Sequence, residues 1–194
     1  MARDRASRPE AISRRLFVAA EIPDEVKLIV DQAVEPWRLA FPSARWVPVG
    51  NWHVTLRFLG ATLPRLHEWV LGAVESVAGT HVPVSARFHG LGAFPSGARA
   101  RVLWAGLDDP AEELGSIAAD LGAALAVEFR AEMRAFHPHL TVARAEPPLQ
   151  LPYEYGATRL LTEPFSIDRL VVFQSHLRRP APLYEPIAAF PLGG

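Results

Sequence analysis

Two histidine–threonine pairs stand out in the sequence because each interrupts an apolar run typical of a strand. His53 and Thr55 occur in NWHVTLRFLG, and His139 and Thr141 occur in FHPHLTVAR. Histidine exchanges protons near neutral pH, and a threonine hydroxyl donates hydrogen bonds to charged oxygens. A single short motif of this kind is usually structural, but two copies favour a catalytic role.

Strand geometry indicates which neighbours share a face with these pairs. Successive side chains of a strand point to opposite faces, and alternate ones lie about 6.6 Å apart along it. Strict alternation places Arg57 beside His53 and Thr55, and it turns Phe58 towards the core. An imidazole and a hydroxyl on one face could then contact the same substrate.

A phosphodiester is a substrate that suits two such histidines. Cleavage requires one proton to leave the attacking oxygen and another to reach the leaving oxygen, on opposite sides of phosphorus. Two imidazoles with pKa values near 6.5 can serve as base and acid, each contributing typically ~10² to 10⁴ in rate. The threonine hydroxyls can donate to the oxygens that gain charge. This scheme predicts no cofactor and no metal.

A metal site is the alternative use of these residues. His137 and His139 form a His-x-His pair, and with His53 they would supply three nitrogen ligands. Nothing in the first half mirrors His137, so this alternative has weaker support. The remaining histidines show no partner pattern.

The elements around the pairs also occur twice. A shift of 86 residues superposes His53 on His139 and RLFVAAEIPDEV on RVLWAGLDDPAEEL. Each copy has an apolar run, a turn with proline and acidic residues, and apolar residues at helical spacing before its His-x-Thr strand. The order strand, helix, strand therefore repeats, which predicts two lobes related by pseudo-twofold symmetry.

Further elements complete an α+β prediction. Helical spacing of apolar residues predicts a helix in LPRLHEWVLGAVESVA, and alternation predicts a strand in VPVSARFHGLGAF. We also predict a strand in FSIDRLVVFQSHL and a closing edge strand in LYEPIAAFPL. We predict one α+β unit of two lobes, in which the two His-x-Thr strands face one cleft. Residues 1–194 form one bilobal domain in this interpretation, with 1–13 as a flexible tail.

Composition limits the classes of function. The chain has 49% hydrophobic residues, a net charge of −1 and no cysteine. A polyanion must therefore be bound locally, and thiol chemistry is excluded. The apolar run after Arg15 is too short for a signal peptide, and no run approaches a membrane span. We expect a cytoplasmic protein without membrane contact.

Four segments carry a resemblance to a known family. RLFVAAEIPDEV, WHVTLRFLG, GLGAFPSGARARVLWAGL and FHPHLTVARA resemble those of the 2H phosphoesterase superfamily. They are similar in particular to the RNA 2′,3′-cyclic phosphodiesterases, historically called 2′-5′ RNA ligases. The similarity runs from about Arg15 to the C-terminal end. It implies a bilobal α+β fold of two antiparallel sheets related by pseudo-twofold symmetry, with flanking helices and with both motifs facing one central groove.

The resemblance also implies a role for each site residue. His53 would donate a proton to the leaving 3′ oxygen, and His139 would activate water, which leaves a 2′-phosphate. Thr55 and Thr141 would bind phosphate oxygens. Arg144 matches the arginine of the second motif, although strict alternation places it on the opposite face from His139, so its role requires a bend.

Several alternatives remain within and outside this family. The substrate is expected to be an RNA or oligonucleotide with a 2′,3′-cyclic phosphate end, acted on by a monomer. Reversible 2′-5′ ligation, hydrolysis of a small cyclic nucleotide and non-catalytic binding of RNA ends are the alternatives. Trp46, Trp52 and Phe58 are candidates for stacking on the terminal base. Ala181 and Pro182 replace the Gly-Pro that is common in the family, which affects a loop outside the motifs.

Overall fold

The structure is a computed structural model that describes residues 13–178 and 181–193. These residues form nine β-strands and four α-helices. The strands are β1 (Arg14–Glu21), β2 (Arg45–Trp46), β3 (His53–Thr62), β4 (Val84–Phe94), β5 (Ala100–Asp108), β6 (His139–Leu149), β7 (Phe165–Ile167), β8 (Arg169–His176) and β9 (Leu183–Pro191). The helices are α1 (Asp24–Ala40), α2 (His67–Thr80), α3 (Glu113–Ala124) and α4 (Tyr153–Gly156). The predicted tail, 1–13, lies outside the described residues except for Ser13.

The strands pair antiparallel in the order β7-β4-β5-β6-β3-β1-β8-β9, and β2 pairs with β6. The two halves meet where β3 pairs with β6 through Val54 and Leu140. These residues are equivalent under the shift of 86, and antiparallel pairing of equivalent strands is what a local twofold axis requires. The α+β prediction is confirmed, and the two predicted sheets are continuous through this one residue pair.

The repeated helices pack against this sheet by the apolar faces that their spacing predicts. Val26, Val30 and Val34 of α1 are buried, as are Ile117 and Leu121 of α3. Full burial of such a side chain stabilises the fold by roughly 1.5–3 kcal/mol. These contacts fix the strands that carry the His-x-Thr motifs.

The opposite face of β1 supports a second, smaller apolar cluster. Phe17 and Ala19 pack there with Val171 and Phe173 of β8, and Tyr184 of β9 covers them. Leu16, Val18 and Ala20 of the same strand enter the main core. β1 is therefore buried on both faces, and its second face adjoins His53.

The structure corrects the predicted faces of Arg57 and Phe58. The pairing of β3 with β1 skips Leu56, because Ala19 pairs with Thr55 while Val18 pairs with Arg57. This β-bulge reverses the alternation beyond it. Arg57 is consequently buried, with 5% of its surface exposed, and Phe58 is 60% exposed. The prediction of a buried Phe58 was wrong.

The equivalent bulge in β6 brings Arg144 to the face of the second motif. Trp104 pairs with Thr141 and Leu103 with Ala143, so Val142 is the extra residue. Val142 and Ala143 are both buried, and Arg144 is exposed. The bend that a role for Arg144 requires is therefore present, at the position equivalent to the bulge in β3.

The C-terminal segment has one more strand than predicted. FSIDRLVVFQSHL divides at Asp168 into β7, which pairs with β4, and β8, which pairs with β1. β9 lies at the edge of the sheet, as predicted. Within the described residues, no helix is both long and apolar enough to cross a membrane.

Candidate active site

Both motif histidines are held by the same backbone contact. His53 Nδ1 lies 2.9 Å from the carbonyl oxygen of Asn51, and His139 Nδ1 lies 2.7 Å from that of His137. A carbonyl only accepts hydrogen bonds, so each Nδ1 carries the proton and donates it. In the neutral imidazoles, Nε2 is then the basic nitrogen. His53 Nε2 lies 3.1 Å from Thr55 Oγ1 and accepts from that hydroxyl.

Two adjoining cavities share the centre of the groove. A small one, of about 40 Å³, includes His53, and a larger one, of about 560 Å³, includes His139. The side chains that line both are Thr55, Phe58, Thr141 and Arg144. The two imidazoles therefore lie on either side of two hydroxyls and one guanidinium, and all five residues singled out by the sequence contribute to one groove.

Aromatic side chains surround His53. Its ring centroid lies 4.8 Å from that of Phe17, 5.2 Å from Tyr184 and 5.9 Å from Phe173. Burial among these rings lowers the pKa of His53 from 6.5 to about 4, because the charged form loses hydration. The positive charge of Arg144 lowers this pKa further. His53 is neutral at pH 7 in the free protein.

Aromatic residues also form the wall beside His139. Phe94 meets its ring edge-on at 5.1 Å, and Trp104 lies at 6.5 Å. Burial lowers the pKa of His139 as well, and the charge of Arg144 adds to this effect. One arginine thus acts on both imidazoles.

Of the three candidate stacking residues, Phe58 alone presents a largely exposed ring. Trp52 is 3% exposed, and its Nε1 donates to the carbonyl of Val47. Trp46 is partly buried, and its Nε1 donates to the carbonyl of Phe41. Phe58 lies at the centre of the groove because of the bulge in β3.

Asn51 and Tyr184 contribute to the site although their roles were not predicted. The backbone of Asn51 accepts from His53, and its Nδ2 donates to the carbonyl of Pro182 over 2.7 Å. This bond holds the start of β9, and with it Tyr184, against the small cavity. The departure from the family's Gly-Pro at Ala181 and Pro182, just before Tyr184, was the only sequence signal near this contact.

In the part of the chain that the structure describes, the three histidines of the alternative metal site are not grouped together. Among residues 13–178 and 181–193, no three histidine or acidic side chains are grouped as metal ligands. His137 lies in the larger cavity with His139, whereas His53 lies in the smaller one. A further histidine, His81, has a structural contact. Its Nε2 lies 2.9 Å from Asp120 Oδ2, and this contact joins the end of α2 to α3.

Trp104 is kept beside His139 by the absence of a side chain at Gly92. A Cβ added at Gly92 would lie 2.2 Å from two carbons of the indole ring. We expect Gly92→Ala to displace Trp104 and to lower the free energy of unfolding by about 1–3 kcal/mol, as overpacking does. Urea denaturation followed by circular dichroism measures this change.

Gly72 provides the matched control for that substitution. It lies inside α2, where an added Cβ has no atom within 4 Å. Gly72→Ala should raise the free energy of unfolding by about 0.5–1 kcal/mol, because alanine favours a helix more than glycine does. A Gly92→Ala variant as stable as the wild type would show that the indole ring is not confined.

Comparison with known proteins gives the family. Residues 24–179 match the 2′-5′ RNA ligase superfamily. The chain is 31% identical to an RNA 2′,3′-cyclic phosphodiesterase of Bacillus subtilis (strain 168), with 91% of this chain and 95% of that protein covered. It is also 31% identical to a protein of that name from Geobacillus stearothermophilus over 92% of this chain, but the match spans only 57% of that relative's length.

Solved structures show the same fold. TT0787 of Thermus thermophilus superposes with a TM-score of 0.77 at 28% identity, covering 93% of this chain and 98% of that one. E. coli LigT complexed with 3′-AMP has a TM-score of 0.74 at 22% identity, covering 94% and 99%. Because the family match extends over most of the chain and includes both His-x-Thr strands, this protein belongs to the 2′-5′ RNA ligase superfamily.

Proposed function

We propose that this protein hydrolyses the 2′,3′-cyclic phosphate end of an RNA or oligonucleotide to a 2′-phosphate. The observation that carries this proposal is the position of the two histidines. His53 and His139 lie on either side of the hydroxyls of Thr55 and Thr141. A phosphate bound by those hydroxyls would have an imidazole on each side, as displacement in line requires. The names of the relatives support the same activity.

The proposed step needs only water and two imidazoles. His139 Nε2 takes a proton from water, whose oxygen bonds to phosphorus. The bond from phosphorus to the 3′ oxygen breaks, and the proton on His53 Nε2 passes to that oxygen. The product carries a 2′-phosphate and a 3′ hydroxyl, and the two histidines have exchanged protonation states. No metal enters this scheme, because the imidazoles supply both proton transfers.

Three further residues bind the phosphate and one binds the base. The hydroxyls of Thr55 and Thr141 donate to the non-bridging oxygens, and Arg144 provides positive charge to the same oxygens. Donors aimed at developing charge are often the largest contribution to catalysis. The exposed ring of Phe58 stacks on the terminal base, since an aromatic platform binds any base without selecting its sequence.

The lowered pKa values predict how the rate depends on pH. His53 must be protonated and His139 neutral, so kcat/KM falls above the pKa of the first and below that of the second. In the free protein the pKa of His53 is about 4 and that of His139 is below 6.5. We expect a bell-shaped dependence of kcat/KM on pH, with its maximum below pH 6.5.

The pH profile of kcat should have its maximum at higher pH than the profile of kcat/KM. The bound phosphodiester is an anion, which favours both imidazolium ions and raises their pKa values. Initial rates at low and at saturating substrate, measured from pH 4 to 9, give the two profiles. A rate that does not change with pH would contradict paired proton transfer and would favour the non-catalytic alternative.

The direct test is to identify the product. The protein is incubated, with chelator present, with a short RNA that ends in a 2′,3′-cyclic phosphate. We expect a 2′-phosphate, which reverse-phase chromatography separates from the 3′ isomer. A 3′-phosphate would overturn the assignment of the two histidines, and no turnover would overturn the hydrolytic function.

The same assay distinguishes ligation from hydrolysis. Adding a second RNA with a 5′ hydroxyl would yield a longer 2′-5′ linked product if ligation dominated. We expect hydrolysis, because water is present at far higher concentration than any RNA end.

We also propose that the protein is a monomer, that it forms a single bilobal domain and that it is cytoplasmic. Light scattering after gel filtration tests whether it is a monomer.

A further inference from the structure

The larger cavity continues the groove beyond the motif histidines. Its volume of about 560 Å³ is typical of a small-molecule site. One end contains His139, Thr55 and Thr141, which belong to the proposed catalytic centre. Residues of α3 and of the segment 131–137 also line the cavity. The cavity therefore has space for more substrate than the cyclic phosphate.

Arg57 is a buried cation in the wall of this cavity. Its side chain lines the cavity although the residue is only 5% exposed. Its Nη2 donates to the carbonyl of Arg130, and its Nε is buried without a hydrogen-bond partner. No carboxylate among the described residues forms an ion pair with it. A buried charge without a counter-ion is costly, and an anion in the cavity would offset that cost.

The other charges of the cavity also favour an anion. Arg134 and Arg144 line it together with Arg57, and Glu132 is its one acidic lining residue in the described chain. The whole chain has a net charge of −1, so this positive character is local. A concave surface lined by one sign of charge concentrates ligands of the opposite sign.

The helix side of the cavity is left open by small residues. Gly115, Ala118, Ala119 and Gly122 of α3 line it. A Cβ added at Gly115 or Gly122 would meet no atom within 4 Å. The space opposite Arg57 is therefore free for a ligand.

We propose that Arg57 binds the phosphate on the 5′ side of the terminal nucleotide. This inference rests on the proposed function, because it assumes that the cyclic phosphate is held by Thr55. Arg57 and Thr55 line the same cavity, although the bulge at Leu56 turns their side chains to different faces of β3. A nucleotide whose cyclic phosphate lies at Thr55 would extend through this cavity towards Arg57. A nucleoside 2′,3′-cyclic phosphate with a free 5′ hydroxyl lacks this second phosphate. The enzyme should therefore select strand ends, or 5′-phosphorylated nucleotides, over such nucleosides.

Two substrates that differ by one phosphate test this selection. The first is adenosine 2′,3′-cyclic phosphate with a 5′ hydroxyl, and the second carries a 5′-phosphate. A charged hydrogen bond should make kcat/KM about 10- to 100-fold higher for the second in the wild type. Arg57→Met should bring the ratio of the two values close to one, and Arg57→Lys should retain part of it.

Arg159→Met is the matched control. Arg159 is exposed and lines a separate cavity with Ile29, Gln32 and Ala33 of α1. Its replacement removes the same charge from the chain, and the substrate ratio should remain that of the wild type. Two outcomes would overturn the proposal. One is an equal fall of kcat/KM for both substrates in Arg57→Met, which would mean that Arg57 only holds the backbone at Arg130. The other is a ratio of the two kcat/KM values that is already one in the wild type.

A second variant and a binding measurement guard against other failures. If Arg57→Met does not fold, Ala119→Leu fills the cavity from α3 and should lower the ratio of the two kcat/KM values; an unchanged ratio would contradict occupation of this space.

Calorimetry with adenosine 2′-monophosphate and adenosine 2′,5′-bisphosphate measures binding and needs no turnover. Tighter binding of the bisphosphate, lost in Arg57→Met, supports the subsite even if hydrolysis is absent, whereas equal binding overturns it.

Discussion

Replacing His53 or His139 by alanine should lower kcat by about 10²- to 10⁴-fold, the usual contribution of a general acid or base. Each imidazole is oriented by one hydrogen bond from Nδ1 to a backbone carbonyl, and both line the groove. The fold should persist, because neither side chain belongs to the main core. Initial rates with a cyclic-phosphate RNA and circular dichroism measure the two effects.

His67→Ala is the matched control for these variants. His67 begins α2 and lines neither cavity of the groove. Its Nε2 lies 3.4 Å from the carbonyl oxygen of Thr62, outside the residues that line the groove, so its replacement should leave kcat close to that of the wild type. A variant of His53 or His139 that kept near-normal activity would remove that histidine from the mechanism.

A sulfur substitution separates the acid from the base. In a substrate with sulfur in place of the 3′ bridging oxygen, the leaving thiolate departs without needing a proton. The His53→Ala variant should then recover most of the lost rate, because its missing group is the acid. The His139→Ala variant should remain slow, since water still has to lose a proton. The reverse pattern would exchange the two roles.

Arg144→Met should lower kcat by about 10²- to 10³-fold, the usual cost of removing one donor to a developing negative charge. The bulge at Val142 turns Arg144 towards the groove, where it lines both cavities. Methionine keeps much of the length of the side chain and loses its charge. Rates at saturating substrate measure the loss, and a change in KM alone would indicate that Arg144 only binds the ground state.

The pKa values of the histidines provide a second measurement on the same variant. The charge of Arg144 lowers the pKa of both His53 and His139. Arg144→Met should therefore raise both, which a nuclear magnetic resonance titration of the free protein detects. Arg87→Met is the control, because Arg87 pairs with Asp108 outside the groove. Unchanged histidine titrations in Arg144→Met would contradict the proximity of this charge.

Local patterns predicted the elements that carry the site. Helical spacing identified the buried faces of α1 and α3, and alternation correctly turned Val54 and Leu140 to the core. The repeat of 86 residues predicted two related halves, and the pairing of Val54 with Leu140 found in the structure agrees with that symmetry. The helical and strand patterns depend on side chains close together in the chain, so composition and spacing are sufficient to predict them.

The same alternation failed two residues beyond each motif threonine. The bulges at Leu56 and Val142 arise where β3 pairs with β1 and β6 with β5, so they depend on the register of distant strands. They exchange the expected positions of Arg57 and Phe58 and bring Arg144 to the groove. No local pattern in either strand signals this, because Leu56 and Val142 are apolar residues at positions where strict alternation also predicts a buried side chain.

By itself, the sequence determined which residues could transfer protons and which strands carry them, since the His-x-Thr spacing and the apolar alternation are properties of short segments. Only the tertiary structure decided their surroundings. Phe17 and Tyr184 come from the two ends of the chain to enclose His53 and lower its pKa. Arg57 likewise becomes a buried cation only when β3 packs beside α3. Burial and electrostatic environment depend on contacts between distant segments, which spacing along the chain does not encode.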